Sequence, residues 1–88
     1  MNKLIQITGK VQGVFFRQST KQKAEELGIK GWVRNQPDGS VLAEIEGPQQ
    51  ALMVMEAWLK MGPESAIVEK LIVQPGEEKG YTGFDIRR

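Results

Sequence analysis

The sequence predicts an α+β sandwich in which two helices pack on one face of a mainly antiparallel sheet. Three observations support this fold class. Two segments carry apolar residues at helical spacing, several short segments are rich in β-branched residues, and turns containing glycine or proline separate them. With 88 residues the chain is long enough for one domain, residues 1–88, with a modest hydrophobic core.

The first part of the chain predicts a strand followed by a helix. Residues 4–8 are rich in β-branched side chains, and Gly9 ends the run. Four residues then follow at intervals of four, four and three, the spacing of one helix face: Phe16, Thr20, Ala24 and Leu27. Gly28 predicts the end of this helix, because glycine readily adopts the left-handed conformation that closes a helix.

The middle of the chain predicts a β-hairpin. Residues 31–34 and 41–46 form the two strands, and the segment between them contains Pro37 and Gly39. Proline restricts φ to a value suited to a turn and glycine readily adopts positive φ, so this segment is predicted to form the turn of the hairpin.

The second half predicts another helix and two strands. Pro48 is expected at the first helical position, where its missing N–H is not needed, and Gly62-Pro63 ends the helix. The apolar face of this helix is Ala51 or Leu52, Met55, Trp58 and Leu59. Residues 66–73 and 84–86 are strands. The order is therefore β-α-β-β-α-β with a short strand appended, which is typical of the ferredoxin-like split β-α-β sandwich.

Two tryptophans and one polar segment have simple structural interpretations. Trp32 and Trp58 are expected to be core residues. The segment 76–80, Gly-Glu-Glu-Lys-Gly, is expected to be a mobile polar loop.

Composition excludes several classes of chemistry. The chain has no histidine and no cysteine, so disulfides, thiol nucleophiles, imidazole catalysis and the usual zinc, haem and iron–sulfur sites are excluded. We expect no metal and no cofactor. The 12 basic and 11 acidic residues nearly cancel, which argues against nucleic-acid binding. No apolar run approaches the length needed to span a bilayer, and the N-terminus lacks a signal-peptide pattern, so a cytoplasmic protein is expected.

Residues 12–17 form the first candidate site, between the first strand and the first helix. Gly13 permits a tight turn, backbone amides at a helix start lack partners, and the guanidinium of Arg17 suits phosphate oxygens. A glycine turn with a solvated arginine has the same pattern. The spacing alone therefore leaves both interpretations open.

Asn35, at the end of the second strand, is the second candidate. Its side-chain amide offers both a donor and an acceptor, so it could hold a water molecule by two hydrogen bonds. An asparagine at such a junction also commonly bonds its own backbone. Again both interpretations remain open on the residues alone.

Two stretches of the chain resemble the signature stretches of the acylphosphatases. The first is Val11-Gln12-Gly13-Val14-Phe15-Phe16-Arg17. The second is Gly31-Trp32-Val33-Arg34-Asn35, followed by Asp38-Gly39-Ser40-Val41. The resemblance continues as far as Phe84-Asp85-Ile86 and so covers essentially the whole chain.

The resemblance implies an enzyme that hydrolyses the carboxyl–phosphate anhydride of acyl phosphates to a carboxylate and inorganic phosphate. It implies that Arg17 binds phosphate, that Asn35 orients the attacking water, and that a monomer acts on a small-molecule substrate. Inorganic phosphate would be both product and inhibitor. A phosphate cradle is implied for the backbone amides of Gln12, Gly13, Val14, Phe15 and Phe16.

Two positions near the second motif qualify the resemblance. Family members often have a hydroxyl residue directly after the asparagine, where this chain has Gln36. Ser40 retains a hydroxyl beyond the turn and is a possible support residue. Asp38 is the nearest carboxylate to the motifs, but the Pro-Asp-Gly sequence predicts turn chemistry rather than a general base.

Two alternative functions from other classes compete with this one. RNA-recognition modules share the element order, but they stack bases on aromatic residues of the first and third strands. Here those strands contain no aromatic residue, and the third carries Glu44 and Glu46. The other alternative is a non-catalytic regulatory domain that binds an anion in the same cradle.

Overall fold

The computed structural model describes all 88 residues and places two helices on one face of a five-stranded sheet. The elements in chain order are β1 (Asn2–Lys10), α1 (Phe16–Leu27), β2 (Lys30–Asn35), β3 (Val41–Glu46), α2 (Gln49–Met61), β4 (Ile67–Gly76) and β5 (Phe84–Arg87). The strand order across the sheet is β4-β1-β3-β2-β5. All pairs are antiparallel except β2 with β5. The predicted ferredoxin-like α+β fold is confirmed.

The hydrophobic core lies between the sheet and the helices. Alternate residues of the central strands point into it, because successive side chains of a strand lie on opposite faces. Ile5 of β1, Ala43 of β3 and Val33 of β2 are fully buried in one row across the sheet. The helices contribute the faces that the periodicity predicted: Phe16, Thr20 and Ala24 from α1, and Leu52, Met55 and Leu59 from α2.

The helix ends follow the sequence with one correction. Gly28 closes α1 in the left-handed conformation, and the Ile29 N–H donates to Ala24 O at 2.8 Å, as in a Schellman motif. Pro48 was predicted at the first helical position but is the N-cap residue, one position earlier. Its ψ is 145°, which is extended, while its carbonyl already accepts a hydrogen bond from Leu52. Proline fixes φ only, so the sequence left ψ undetermined.

The predicted strand 66–73 is longer than expected and runs from Ile67 to Gly76. It includes Pro75, which cannot donate a hydrogen bond to a sheet ladder. The proline is tolerated because β4 is an edge strand that pairs only with β1. Neither helix of the molecule has the length and apolar character needed to cross a membrane.

Trp32 is buried as predicted, but it lies on the helix-free face of the sheet rather than in the main core. It neighbours Glu44 across β2 and β3, and its indole N–H lies 3.0 Å from a Glu44 carboxylate oxygen and 3.1 Å from the Tyr81 hydroxyl. Burial alone would raise the pKa of Glu44. Hydrogen bonds from Lys79, Tyr81, Asn2 and Trp32 outweigh this and lower it.

The segment 76–80 is predicted from the sequence to be a mobile polar loop; in the structure Gly76 ends β4, and the backbone that follows is hydrogen-bonded to the helix-free face of the sheet. The backbone N–H groups of Lys79, Gly80 and Tyr81 donate to the Glu46 carboxylate at 2.7, 2.9 and 3.1 Å. The side chain of Asn2 donates to it at 2.9 Å. These hydrogen bonds, led by the one from Lys79, lower the pKa of Glu46 to about 2. These hydrogen bonds could not be predicted from local pattern, because the partners lie more than thirty residues apart.

Because Glu46 has a lowered pKa, we expect the free energy of unfolding to decrease in acid. In the folded protein the pKa of Glu46 lies below its ordinary value of 4.5. The contribution of Glu46 to the free energy of unfolding is therefore present above pH 4.5 and is lost as the pH falls toward 2. Urea unfolding between pH 2 and pH 7 should show this slope, and Glu46→Gln should flatten it and lower stability at pH 7. Glu64→Gln, an exposed glutamate without a hydrogen bond, controls for the loss of one charge. An unchanged slope in Glu46→Gln would contradict the assignment.

Candidate functional site

A pocket of about 350 Å³ lies where β1 leads into α1 and β2 leads into the hairpin loop. Its volume falls within the range of small-molecule sites, about 300–1,000 Å³. Five predicted site residues line it: Gly13, Phe15, Phe16, Arg17 and Asn35. The structure therefore brings the two motifs together, although they are separated by some twenty residues of chain.

The loop before α1 presents a run of free backbone donors. No backbone N–H from residue 12 to residue 18 donates a hydrogen bond within the protein. The first helical bond is from Ser19 to the carbonyl of Phe15, at 3.0 Å. Gly13 and Phe15 both have positive φ, 73° and 60°, so the chain reverses locally instead of continuing β1. Such a loop at a helix N-terminus favours an anion.

Arg17 is held in the second position of α1 by its buried neighbour. Phe16 is 2 % exposed, and its ring centroid lies 6.1 Å from that of Trp58 on α2. The packing of Phe16 positions the first turn of α1, and this sets the position of the Arg17 Cα atom beside the pocket. Arg17 is half-buried, lines the pocket and forms no ion pair. Its guanidinium donors are therefore free for an anionic ligand.

Asn35 enters the same pocket from the sheet. It is the last residue of β2 and lies two residues after the fully buried Val33, so both side chains are on the helix side of the sheet. The following turn is closed by two backbone bonds, Gln36 N–H to Ser40 O at 2.8 Å and Gly39 N–H to Gln36 O at 3.1 Å. The side-chain amide of Asn35 forms no hydrogen bond with this turn.

Gln12 joins the two motifs through its side chain. Its amide donates to the backbone carbonyls of Gln36 and Ser40, both at 2.8 Å. The resemblance implied a role only for the backbone amide of Gln12, so these side-chain hydrogen bonds are an additional feature of the structure. Because the link crosses from the loop of Arg17 to the loop of Asn35, it holds the two sides of the pocket at a fixed separation.

Ser40 and Asp38 lie in the hairpin and do not line the pocket. The hydroxyl of Ser40 donates to Asp38 at 2.6 Å and accepts from the side chains of Gln36 and Gln6. The Ser40 hydroxyl and the Ser40 amide lower the pKa of the Asp38 carboxyl. Asp38 thus serves as the acceptor of the turn, in agreement with the sequence interpretation, and the Ser40 hydroxyl forms hydrogen bonds only with the hairpin and β1.

The remaining pocket residues were not selected from the sequence. Val11, Gln18 and Ile86 complete the lining, whereas Val14, a predicted cradle residue, has its side chain in the core. Two of the predicted cradle residues, Gln12 and Val14, are thus not among the residues that line the pocket. Strand alternation could have indicated Ile86, because it lies two residues after the buried Phe84 and so shares its face.

The site therefore combines free backbone amides, one unpaired guanidinium and the side-chain amides of Asn35 and Gln18. These groups suit an oxyanion ligand and a positioned water molecule. No group of three or more His, Cys, Asp or Glu side chains is arranged to hold a metal ion.

Comparison with known proteins agrees with this geometry. Residues 3–86 match the family model described as Acylphosphatase. An acylphosphatase of Thiobacillus denitrificans is 49% identical over 83 residues, which cover 94% of this chain and 92% of that protein. The structure of an acylphosphatase from Coxiella burnetii superimposes with a TM-score of 0.95 at 37% identity, covering 98% of this chain and 90% of that one. The Bacillus subtilis acylphosphatase gives 0.95 at 32% identity, covering 99% and 98%. The chain belongs to the acylphosphatase family.

Proposed function

We propose that this protein hydrolyses the carboxyl–phosphate anhydride of acyl phosphates to a carboxylate and inorganic phosphate. The observation that carries the proposal is one pocket lined by Arg17, Asn35 and residues of the loop before α1, a loop whose backbone N–H groups donate no hydrogen bond within the protein. Membership of the acylphosphatase family supports the same reaction class.

In this proposal the phosphoryl group binds at the start of α1. The free backbone N–H groups of the loop donate to phosphoryl oxygens, and the helix dipole favours the negative charge there. The guanidinium of Arg17 donates two parallel hydrogen bonds from the side of the pocket. Because these donors are preorganised, they also stabilise charge that develops on the phosphoryl oxygens in the transition state.

Asn35 supplies the attacking water. Its side-chain oxygen and nitrogen are not used in the turn, so the amide can hold a water molecule by two hydrogen bonds in line with the leaving carboxylate. The proton of that water passes to the substrate phosphate, since the chain has no histidine and Asp38 is engaged in the hairpin. The anhydride is already activated, and its leaving group is a stable carboxylate. Positioning and charge stabilisation therefore account for the catalysis.

The residues of the proposed site predict a reaction that needs no added metal or cofactor. The free donors are amides and one guanidinium, which bind phosphate without a bridging cation. Steady-state hydrolysis of benzoyl phosphate should therefore proceed at the same rate before and after exhaustive chelation with EDTA. Loss of most turnover on chelation, with recovery on added magnesium, would contradict the proposed mechanism. Binding of phosphate without any turnover would instead support an anion-binding regulatory domain.

We also propose the setting in which the reaction occurs. The substrate is a free small molecule, and inorganic phosphate is an inhibitor because it occupies the phosphoryl position of the same pocket. Residues 1–88 act as one domain and as a cytoplasmic monomer, without nucleic acid or membrane. The near balance of 12 basic and 11 acidic residues supports the absence of a nucleic-acid partner. Sedimentation at micromolar concentration tests the monomer.

A further inference from the structure

The side chain of Gln12 bridges the two loops of the site without lining the pocket. Its nitrogen donates to the carbonyl oxygens of Gln36 and Ser40, both at 2.8 Å. No other hydrogen bond joins residues 11–15 to the hairpin loop 36–40. The relative position of the two loops therefore depends on this one amide more than on any other polar group.

The two carbonyls that accept from Gln12 lie at the two ends of the hairpin loop. Each already accepts one hydrogen bond within the turn: the Gln36 carbonyl from the N–H of Gly39 at 3.1 Å, and the Ser40 carbonyl from the N–H of Gln36 at 2.8 Å. A carbonyl oxygen has two lone pairs, and a side-chain amide nitrogen has two N–H donors. One neutral group thus completes both carbonyls, and neither end of the loop can move away from Gln12 without breaking a hydrogen bond.

Each end of this link is adjacent in sequence to a residue that lines the pocket. Gln12 precedes Gly13, and Gln36 follows Asn35. The loop before α1 is attached to the core by the buried side chains of Val11 and Val14. The tip of the hairpin, residues 37–39, is exposed and has no such attachment. The link therefore fixes the exposed hairpin to the anchored loop.

We propose that Gln12 is a positioning residue, whose side-chain amide sets the position of Asn35 relative to the phosphate-binding loop for attack by water. This inference rests on the proposed hydrolysis of acyl phosphates, in which the loop and Arg17 bind the phosphoryl group and Asn35 holds the water. The link then spans the two reactants. A misplacement of about 1 Å between reacting groups can lower a rate about 10²-fold. Phosphate contacts only one side, so loss of the link should lower kcat and leave phosphate affinity nearly unchanged.

Gln12→Ala tests this split between kcat and phosphate affinity. We expect kcat for benzoyl phosphate to fall by roughly 10- to 100-fold, and the inhibition constant of inorganic phosphate to stay within about twofold of wild type. Gln6→Ala is the matched control. Gln6 is also a glutamine, lies on β1 and donates to the hydroxyl of the same Ser40 at 3.3 Å, but it does not line the pocket. Its removal should leave kcat unchanged.

A double-mutant cycle shows whether Gln12 acts through Asn35. If the amide serves to position Asn35, Gln12→Ala should lower kcat by no more than about twofold in the Asn35→Ala background, because the group that it positions is already absent. A general loosening of the protein would instead lower kcat by the same factor in both backgrounds.

Gln12→Glu separates hydrogen bonding from packing, because the two side chains have nearly the same shape. An ionised carboxylate places an acceptor against two carbonyl oxygens, so this variant should be more impaired than Gln12→Ala. Those carbonyls also favour the protonated acid, whose O–H can donate to one of them. Relative to wild type, kcat of Gln12→Glu should therefore rise as the pH is lowered from about 8 to about 5. The same ratio for Gln12→Ala should not change.

The outcomes separate this inference from the function on which it rests. If the wild-type protein hydrolyses no acyl phosphate, the proposed function is wrong and the role of Gln12 fails with it. If the wild type is active and Gln12→Ala keeps kcat within about twofold, or loses the same factor in both backgrounds, Gln12 is not a positioning residue and the hydrolase remains. Urea midpoints check that each variant is folded. Should Gln12→Ala not fold, the pH dependence of Gln12→Glu decides, and a constant ratio to wild type would overturn the proposal.

Discussion

Arg17→Ala should lower kcat/KM for an acyl phosphate by about 10²-fold or more, and it should weaken inhibition by inorganic phosphate as well. The two effects go together because, in the proposed mechanism, the guanidinium contacts the phosphoryl group both before and during the reaction. The protein should remain folded, since Arg17 is half-buried, makes no ion pair and does not belong to the core. Steady-state kinetics with a phosphate inhibition series measures both effects.

Two further variants make the Arg17 experiment specific. Arg17→Lys keeps the charge but cannot reproduce the planar pair of donors, so it should also be clearly impaired. Arg34→Ala removes an arginine next to Asn35 in sequence whose side chain lies on the opposite face, 5.5 Å from the Trp32 ring. It should retain activity close to wild type. If Arg17→Ala matched Arg34→Ala in its kinetics, Arg17 would be a solvated surface residue.

The elements of the fold could be predicted because each has a local signal. The intervals from Phe16 to Leu27 identify α1, Gly28 identifies its end, and the apolar alternation of residues 41–46 identifies β3 with its observed bounds. The ends of two elements were harder to predict, because they depend on a single backbone torsion or on a neighbouring strand. Pro48 fixes φ but not ψ, and the length of β4 depends on its pairing with β1.

The site was harder to predict because it depends on contacts between distant residues. From the residues alone, Arg17 and Asn35 each had an equally simple structural explanation, and only the resemblance between whole motifs favoured a site. The hydrogen bonds of Gln12 to the hairpin join segments that are distant in sequence, which periodicity does not reveal. Strand alternation indicates the face of Ile86, but its place at the pocket depends on the pairing of β5 with β2. The hydrogen bonds to Glu46 come mainly from backbone N–H groups, which nearly every residue has, so the residue types did not indicate them.

Asn35→Ala should lower kcat by about 10²–10³-fold while inorganic phosphate still binds with nearly normal affinity. In the proposed mechanism the amide holds the water and not the phosphoryl group, so its contribution is made mainly as the nucleophile attacks. Loss of one positioned hydrogen-bonding group at a reacting centre corresponds to about 2.7–4 kcal/mol of transition-state stabilisation. The separation of kcat from phosphate affinity distinguishes this variant from Arg17→Ala, in which both should change.

A purely structural role for Asn35 predicts the opposite pattern. If the residue stabilised only the hairpin, its removal would cost about 1 kcal/mol of folding free energy and leave the turnover of each folded molecule intact. Ser40→Ala provides the matched comparison, because its hydroxyl bonds Asp38 and accepts from Gln36 within the same turn but lies outside the pocket. We expect Ser40→Ala to lower the urea midpoint and Asn35→Ala to lower kcat. A lowered midpoint with normal kcat in Asn35→Ala would assign Asn35 to the hairpin and leave the water to another group.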